Sequence, residues 1–395
     1  MKNSLATIIL ARGNSKGVKY KNMIKVNNLI NKVKKLIKAK YFYSRPTKKK
    51  ILFFDGNNIG IIKKYFGSNS YETLYVRGEN LNVSIILKMF LNLKFSFKHY
   101  IYFYIQSVDP KVIITFTDNS IFFYKFKKLF PKIKFIAIQN GYRTKNKDIF
   151  SELKKMNNSK NELKADYIFS FGKAASSEYS KYIDSKNIEL GSFKNNLVSI
   201  PKESRKKNNV LFISQFRESD LNHPNYYCTE RQLLPLVGKF CKIHNFNLSI
   251  AGASYTKSFE REYFSKILRD FKFKFIRRKS FLSNYELLHK FSIIVFIDST
   301  LGYEAIARNK KIAVFSTRKI QSNDPGSPFG WPKTINKKGF FYSNVVSEKE
   351  VFRVFKNVSS TSKNMWRKKT RKIFEGIINY NFNNKKFFKI INEHI

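Results

Sequence analysis

Short apolar runs, each followed by polar or glycine residues and then by a helix-like segment, recur along most of this chain. "ILFFDGNN" begins at Ile51, and "KVIITFTDNS", "KIKFIAIQNGYR" and "ADYIFSFGKAASSEYSKYI" repeat the arrangement before residue 198. A short apolar run bounded by turn residues is typical of a strand buried on both faces. Strands that alternate with helices form βαβ units, so the sequence predicts an α/β fold built on parallel sheets.

The same pattern restarts after a polar segment, "IPKESRKKNN", with further strands predicted from "VLFISQFR" to "KIAVFS". We therefore expect two Rossmann-like domains whose parallel sheets face a central cleft, followed by C-terminal helices. The predicted segments are a connector at 1–50, a first domain at 51–198, a linker at 199–209, a second domain at 210–345 and a helical segment at 346–395.

Polar side chains stand where the predicted strands of the first domain end. They are Asp55, Asp118, Asn119, Gln139 and Asn140. Parallel sheets bind ligands beyond the carboxyl ends of their strands, so we expect all of these side chains to point into one crevice.

The strongest local signal is "IIVFIDSTLGYEAIARNKKIAVFS", residues 293–316. A buried strand ends at Asp298, and Ser299 or Thr300 can cap the helix that follows. The amides and the positive dipole end of such a helix suit the phosphates of a nucleotide sugar. Glu304, one turn further on, is placed to accept hydrogen bonds from ribose or sugar hydroxyls. An ordinary capped helix remains the alternative interpretation.

This stretch resembles the donor-binding segment of GT-B glycosyltransferases and, more narrowly, a bacterial family of surface carbohydrate biosynthesis proteins. The likeness extends through "LFISQFRESDLNHPNYYCTERQLLPL", "SIAGAS" and "FGWP", and covers roughly residues 51–345. By position it places Ser214 and Arg217 on the first loop of the donor domain. Arg217 then clamps a phosphate, or pairs on the surface with Glu218 or Asp220.

The general base is left open by the residues present. Related capsule and teichoic-acid transferases carry Gln-His-Gly where this chain has "QNG", and Asn140 cannot accept a proton in place of that histidine. Asp55, Asp118 and His223 are therefore the candidate catalytic residues, with Gln139 and Asn140 on the acceptor side. Turn caps and a structural turn histidine are the alternatives.

The N-terminal "LARGNSKGVKYKN" resembles the opening motif of acylneuraminate (CMP-sialic acid) cytidylyltransferases. Its glycines and cations can cradle phosphate, and the residues that the resemblance assigns to nucleotide binding are Arg12, Ser15, Lys16, Lys21 and Asn22. The likeness stops after Asn28, so we expect a stub rather than a complete activating enzyme. The stub suggests a link to sialic acid chemistry.

The formal net charge of +49 has two further interpretations, a nucleic-acid partner and an anionic membrane surface. The charge is spread along the chain, so we expect no specific nucleic acid. The basic, aromatic tail after Met365 fits either a membrane surface or a helix packed inward. Neither a secretory signal nor an apolar segment long enough to span a bilayer is recognised, which predicts a cytoplasmic protein, peripheral at most.

Together these features predict a GT-B glycosyltransferase that moves a sugar from a nucleotide sugar to a surface-polysaccharide or lipid-linked acceptor. We expect no metal and no cofactor, because helix dipole, Arg and Lys can hold the leaving phosphate. The alternatives are a cytidylyltransferase-related protein, argued from the stub, and a nucleotide- or nucleic-acid-binding protein without catalysis, argued from charge. Cys228 and Cys241 predict reduced thiols rather than a disulfide framework.

Overall fold

A computed structural model describes most of the chain after residue 36. The described residues are 37–143, 148–156, 159–201, 208–216, 228–253, 259–280, 282–316, 329–331 and 338–395. The chain divides into two compact units, one of Met1–Ile59 with Tyr65–Pro110 and one of Gly60–Lys64 with Lys111–Ile395. The domain boundaries at 198 and 210 stay predictions.

The strands of the described residues are short. They are β1 (Lys40–Phe42), β2 (Ile51–Phe54), β3 (Tyr71–Leu74), β4 (Asn80–Asn82), β5 (Val112–Thr115), β6 (Lys134–Ile138), β7 (Lys164–Ser170), β8 (Asp184–Glu189), β9 (Asn209–Ile213), β10 (Asn247–Ala251), β11 (Phe273–Ile276), β12 (Ile293–Phe296) and β13 (Lys311–Val314).

Helices separate most of these strands. They are α1 (Gly60–Lys63), α2 (Val83–Leu91), α3 (Phe97–Val108), α4 (Ile121–Phe126), α5 (Ile149–Leu153), α6 (Ser159–Glu162), α7 (Lys173–Ser180), α8 (Cys228–Ile243), α9 (Phe259–Ile267), α10 (Ser283–Leu287), α11 (Thr300–Ala307), α12 (Glu348–Ser360), α13 (Lys363–Phe374) and α14 (Lys385–Asn392).

In the first unit, β2 pairs in parallel with β3, and β1 pairs in parallel with β4. All four residues of β2 are buried, as expected for a strand covered on both faces. The Asn82 side chain donates to the Ser44 carbonyl at 2.7 Å and its own backbone N–H donates to the Tyr100 hydroxyl at 2.8 Å. Residues from Lys40 onward are thus part of the folded unit.

In the second unit, β5, β6, β7 and β8 lie side by side in parallel, and β11, β10, β9, β12 and β13 form a second parallel sheet. The apolar runs of β5, β9, β12 and β13 are almost wholly buried under helices. This arrangement confirms the predicted α/β fold with parallel Rossmann-like sheets.

Helix α11 lies close on strand β12 because of a glycine. A Cβ on Gly302 would stand 2.1 Å from Cγ of Phe296, so a larger residue would push the helix away from the strand. The close approach places the start of α11 directly beyond the end of β12.

The C-terminal helices pack inward. Phe387 of α14 is fully buried against the rings of Phe169 and Phe193, at centroid distances of 5.1 and 5.3 Å. The Asn379 N–H donates to the Phe171 carbonyl at 2.8 Å. Of the two interpretations of the tail, inward packing is the one observed. Across the described ranges, no helix combines the length and the apolar character needed to cross a membrane.

Candidate functional site

Loops from both sheets of the second unit meet at the start of α11. Tyr142, in the loop after β6, donates its backbone N–H to the Thr300 hydroxyl at 3.1 Å. Its ring is stacked on the ring of Tyr303, with 3.4 Å between centroids and 6° between planes. A Cβ on Gly141 would lie 3.4 Å from the Thr300 hydroxyl, within van der Waals contact, so the loop lies directly against the start of α11. The strand tip after β6 therefore borders the predicted donor site.

The N-terminus of α11 lies against these loops, and Ser299 is buried there. Ser299 precedes the helix in an extended conformation and its side chain makes no capping hydrogen bond. Its carbonyl accepts the N–H groups of Gly302 and Tyr303 at 3.0 and 3.2 Å. The first N–H groups of a helix have no partner within it and form its positive end, which suits a phosphate. The geometry at Ser299 and Thr300 fits the predicted phosphate contact.

Glu304 lies one turn into α11 and is 1% exposed. Its Oε1 accepts hydrogen bonds from the Ser192 hydroxyl and, at 3.0 Å, from the Tyr285 hydroxyl. Burial raises the pKa of Glu304 to about 7, although the Ser192 hydrogen bond and the charge of Lys194 oppose the rise. The carboxyl predicted to meet sugar hydroxyls is thus already bonded to the protein, and it ties the loop after β8 to α11.

Two cations near Glu304 were missed by the sequence reasoning. Burial lowers the pKa of Lys194, the charge of Glu304 opposes that effect, and the charge of Arg278 adds to it. Lys194 therefore has a guanidinium as well as a carboxylate within electrostatic range. Nζ of Lys194 also lies 5.5 Å from the ring centroid of Phe116, in the loop after β5. The available signals were cations directly after strands, in "GSFKNN" and "FIRRKS".

Arg308, at the end of α11, holds the segment that follows β8. Its guanidinium donates to the side-chain and backbone oxygens of Asn195 at 2.6 and 2.9 Å, to the Val198 carbonyl at 2.7 Å and to the Ser199 carbonyl at 3.1 Å. With an exposed fraction of 3%, it has no surface for a ligand. Its contacts position the loop that carries Lys194.

Asp118 requires a correction, because its carboxylate is buried and fully hydrogen-bonded. Arg143 donates from Nε at 2.8 Å and again from Nη2, the Asn140 backbone N–H donates at 3.0 Å, and the Tyr179 hydroxyl donates as well. Burial alone would lower the pKa of Arg143, but the charge of Asp118 helps to raise it well above its usual value. This geometry argues against Asp118 as a base and assigns it to the positioning of Arg143.

The two predicted acceptor-side residues are also engaged within the protein. Gln139 accepts the Phe171 N–H at 2.8 Å and donates to the Gly141 carbonyl at 2.9 Å. The Asn140 side-chain oxygen accepts from Arg143 at 2.8 Å. Asp118 and Asn140 do come together as predicted, but these contacts shape the loop rather than present free groups to an acceptor.

Asp55 lies in the first unit, at positive φ directly after β2. Arg77 donates to its Oδ2 from Nε at 3.1 Å and from Nη2 at 2.7 Å, while the Asn57 N–H donates to Oδ1 at 3.1 Å. These contacts with a guanidinium and a turn amide are those of a carboxylate that caps a turn. That Asp55 shares a crevice with the other strand tips stays a prediction.

Ser214 and Asp298 end two strands of the second sheet. The Ser214 hydroxyl donates to Glu260 and accepts the Phe216 N–H at 3.1 Å. Glu260 also accepts the Ala253 N–H at 2.9 Å, so it organises the loops after β9 and β10. Asp298 is half-buried directly before Ser299. Ser214 is thus placed at the predicted edge, with its hydroxyl used inside the protein.

Several predicted site residues lie outside the described residues. They are Arg217, His223, Arg12, Ser15, Lys16, Lys21 and Asn22. Their roles stay predictions. Within the ranges that the structure describes, no group of three or more His, Cys, Asp or Glu side chains is placed to hold a metal ion. Cys241 is a buried free thiol.

The two parallel α/β sheets of this fold define the GT-B class. UDP-GlcNAc 2-epimerase from Neisseria meningitidis, bound to UDP-GlcNAc, is similar with a TM-score of 0.52 at 12% identity, over 87% of this chain and 100% of that one. The epimerase from Methanocaldococcus jannaschii, in complex with UDP-GlcNAc and UDP, gives 0.52 at 12% identity over 88% and 100%. The wall teichoic acid polymerase TagF gives 0.50 at 11% identity over 88% and 89%.

At such identities the similarity to solved structures shows the fold alone. Residues 136–395 match the model of a family described as "putative O-antigen biosynthesis protein". The match covers more than half of the chain, and the chain belongs to this O-antigen biosynthesis family. The predicted place in cell-surface carbohydrate biosynthesis is thereby confirmed. No curated protein matches the sequence.

Proposed function

We propose that this chain is a glycosyltransferase that transfers a sugar from a nucleotide sugar to a surface-polysaccharide or lipid-linked acceptor. The observation that carries the proposal is the start of α11 at Ser299, whose side chain makes no capping hydrogen bond, together with Lys194, which interacts electrostatically with Glu304 of the same helix and with Arg278. A helix N-terminus and two cations form a setting for a diphosphate leaving group. Similar solved structures hold UDP-GlcNAc or UDP, which supports a nucleotide-sugar ligand.

In this mechanism the helix amides bind the donor phosphates, and Lys194 and Arg278 offset the charge that develops as the glycosidic bond to phosphate breaks. These groups supply the stabilisation that a metal ion would otherwise provide, so the proposed transfer is metal-independent. Glu304 acts by positioning. It holds Ser192 and Tyr285, and thereby the loop on which Lys194 lies.

The base that activates the acceptor hydroxyl is proposed by elimination. Asp118 has all of its carboxylate bonded to protein donors, and Asp55 is paired with Arg77. His223 remains from the sequence analysis, and an imidazole has a pKa suited to accepting a proton near neutral pH. His223→Asn should abolish turnover and leave donor affinity within twofold of wild type, roughly 0.4 kcal/mol. Turnover that survives the substitution removes His223 from the mechanism.

Calorimetric titration of the full chain with UDP-GlcNAc, UDP, GDP and CMP tests the donor site. Lys194→Ala and Arg278→Ala should each weaken the best-binding nucleotide at least tenfold, about 1.4 kcal/mol. Lys274→Ala is the matched control, since this exposed lysine lies on β11, in the same sheet. Affinities that are unchanged in both site variants would place the donor elsewhere.

Turnover in EDTA tests the metal-independent chemistry in the same preparation. We expect full activity in the chelator. Activity that disappears and returns with Mg²⁺ or Mn²⁺ overturns this part of the proposal.

Sugar epimerisation is the second candidate, because the fold is shared with two UDP-GlcNAc 2-epimerases. A C2 epimer formed without any acceptor would favour it over transfer.

A further inference from the structure

Helices α2 and α3 of the first unit form a hairpin whose turn exposes large apolar side chains. We define the hairpin tip as residues 87–98. Leu91 is 85% exposed and Leu93 is 78% exposed, and the remaining large exposed apolar residues of the tip are Leu87, Phe90, Phe95 and Phe97. Single exposed apolar residues are common, but six within twelve positions form a contiguous patch of the kind that marks an interaction surface.

Helix α2 lacks the polar outer face of a helix that meets water. Seven of its nine residues, "VSIILKMFL", are apolar, yet only Ile85 is fully buried. A helix with apolar residues all round is normally enclosed by protein or by lipid. The described residues of the first unit cover one face of α2 and leave its end toward the tip exposed.

Three backbone N–H groups of the turn are paired within it. The N–H groups of Asn92, Leu93 and Lys94 donate to the carbonyls of Lys88, Phe90 and Met89 at 3.2, 3.0 and 3.0 Å. The Asn92 side chain adds a second donor to the Lys88 carbonyl at 2.8 Å. Backbone N–H groups that are already hydrogen-bonded can move from water into an apolar environment without becoming unsatisfied donors.

Leu93 occupies a position that favours glycine. Its φ is 53°, in the left-handed region, where a residue with a Cβ is strained and glycine is not. Among the described residues the leucine gains little burial in return, because its side chain is 78% exposed. An apolar contact outside the chain gives this leucine a role.

Positive charge surrounds the apolar patch. Lys88, Lys94 and Lys98 lie within the tip, and no Asp or Glu occurs between Asn80 and Val108. Leucine and phenylalanine interleaved with lysine match a bilayer interface, where acyl chains accept the apolar groups and anionic headgroups attract the cations. A second protein surface would need its own acidic, apolar counterpart.

We propose that the hairpin tip inserts into the interfacial layer of an anionic lipid bilayer, and so holds the chain peripherally at a membrane. Leu91, Leu93 and Phe95 enter the acyl boundary, while Lys94 and Lys98 contact headgroup phosphates. The proposal of membrane binding is argued from the residues of the hairpin tip alone. Its purpose, presenting the enzyme to a lipid-linked acceptor, rests on the proposed function.

Co-sedimentation of the full chain with vesicles tests the insertion. Phosphatidylcholine vesicles with phosphatidylglycerol as the minor component are compared with pure phosphatidylcholine vesicles. Wild type should bind the anionic vesicles. The double variant Leu91→Ser, Leu93→Asn should partition at least tenfold more weakly, with asparagine chosen because it tolerates positive φ. Leu129→Ser, which removes an exposed leucine elsewhere, should bind as wild type does.

A charge-matched pair separates the tip lysines from the general charge of the chain. Lys94→Gln with Lys98→Gln should weaken binding to anionic vesicles, while Lys154→Gln with Lys155→Gln, exposed lysines of the second unit, should not. Equal binding by both pairs, or by wild type and the leucine variant, overturns the proposal.

Two further measurements distinguish membrane insertion from self-association and from loss of the fold. Sedimentation velocity without lipid should show the same oligomeric state for wild type and the leucine variant. A wild-type dimer that the leucine variant abolishes would identify a second copy as the occupant and overturn the proposal. Nucleotide affinity of the leucine variant in solution should equal that of wild type. A wild type that binds vesicles but no nucleotide refutes the proposed function and leaves the membrane contact standing.

Discussion

Replacing Glu304 by glutamine should remove a pH-dependent penalty on folding. Glutamine is nearly isosteric and its oxygen can still accept from the hydroxyls of Ser192 and Tyr285, which donate to Oε1 in the wild type. Only the ionisation is lost. Burial raises the pKa of Glu304 from 4.5 to about 7, so the folded protein keeps this carboxyl neutral over a range in which the unfolded chain ionises it.

The sign and the size follow from linkage. When the pKa of a carboxyl is higher in the folded protein than in the unfolded chain, its contribution to the free energy of unfolding is complete below the unfolded-state pKa. That contribution is lost as pH rises through the folded-state pKa. Each pKa unit corresponds to about 1.4 kcal/mol. Between about pH 5 and about pH 7.5, wild type should therefore lose about 2 kcal/mol of unfolding free energy relative to E304Q, most of it below pH 7.

Urea unfolding of wild type and E304Q at several pH values across that range measures the difference directly. Titration of the other groups is common to both proteins and cancels. E286Q, at an exposed glutamate on α10 next to Tyr285, serves as the control, and its difference from wild type should not follow this course. If the difference in unfolding free energy between wild type and E304Q stays constant from pH 5 to pH 7.5, within about 0.5 kcal/mol, the pKa of Glu304 is not raised by burial and the reasoning is refuted.

Two further predictions concern the buried Arg308 and the N-terminal residues 1–36. Arg308→Met should destabilise the protein by about 1–3 kcal/mol, because the buried oxygens of Asn195 lose their donor and the carbonyls of Val198 and Ser199 lose theirs. Urea unfolding beside the exposed-site control Arg261→Met checks it, and equal stabilities would contradict the role of Arg308. Deleting residues 1–36 should leave folding and donor binding intact, since β1 begins at Lys40 and is kept. If the truncated chain binds CMP more tightly than UDP or GDP, the result supports a donor in which a sialic-acid-type sugar is activated by CMP. If it binds UDP or GDP tenfold more tightly, about 1.4 kcal/mol, that donor is excluded.

Local pattern was sufficient to predict most of the secondary structure. The runs that became β2, β5, β6, β9, β12 and β13 are apolar enough to be recognised without any partner, because strands buried on both faces carry few polar residues. Strand β8, "DSKNIE", gave no such signal. Among the described strands it pairs with β7 alone, at the edge of the sheet, and its side chains are half-buried or exposed, so burial left no apolar run to find.

The helix that begins after Ser299 was also predictable from sequence, because a buried strand, a Ser-Thr pair typical of helix starts and a helix follow one another along the chain, although the Ser299 side chain makes no capping hydrogen bond. The same holds for the parallel arrangement of the sheets, which alternating strands and helices impose. The sequence by itself therefore determined the fold class and the position of the helix start at which we propose a phosphate site.

Only the tertiary structure decided which polar groups at the strand ends are hydrogen-bonded inside the protein. Asp118 is bonded by Arg143 and Tyr179, 25 and 61 residues further along the chain, and Glu304 is bonded by Ser192 at a separation of 112. The cations Lys194 and Arg278 become neighbours only when two sheets meet. Hydrogen bonds and charges depend on distance in space, and residues so far apart in sequence leave no local pattern that records their meeting.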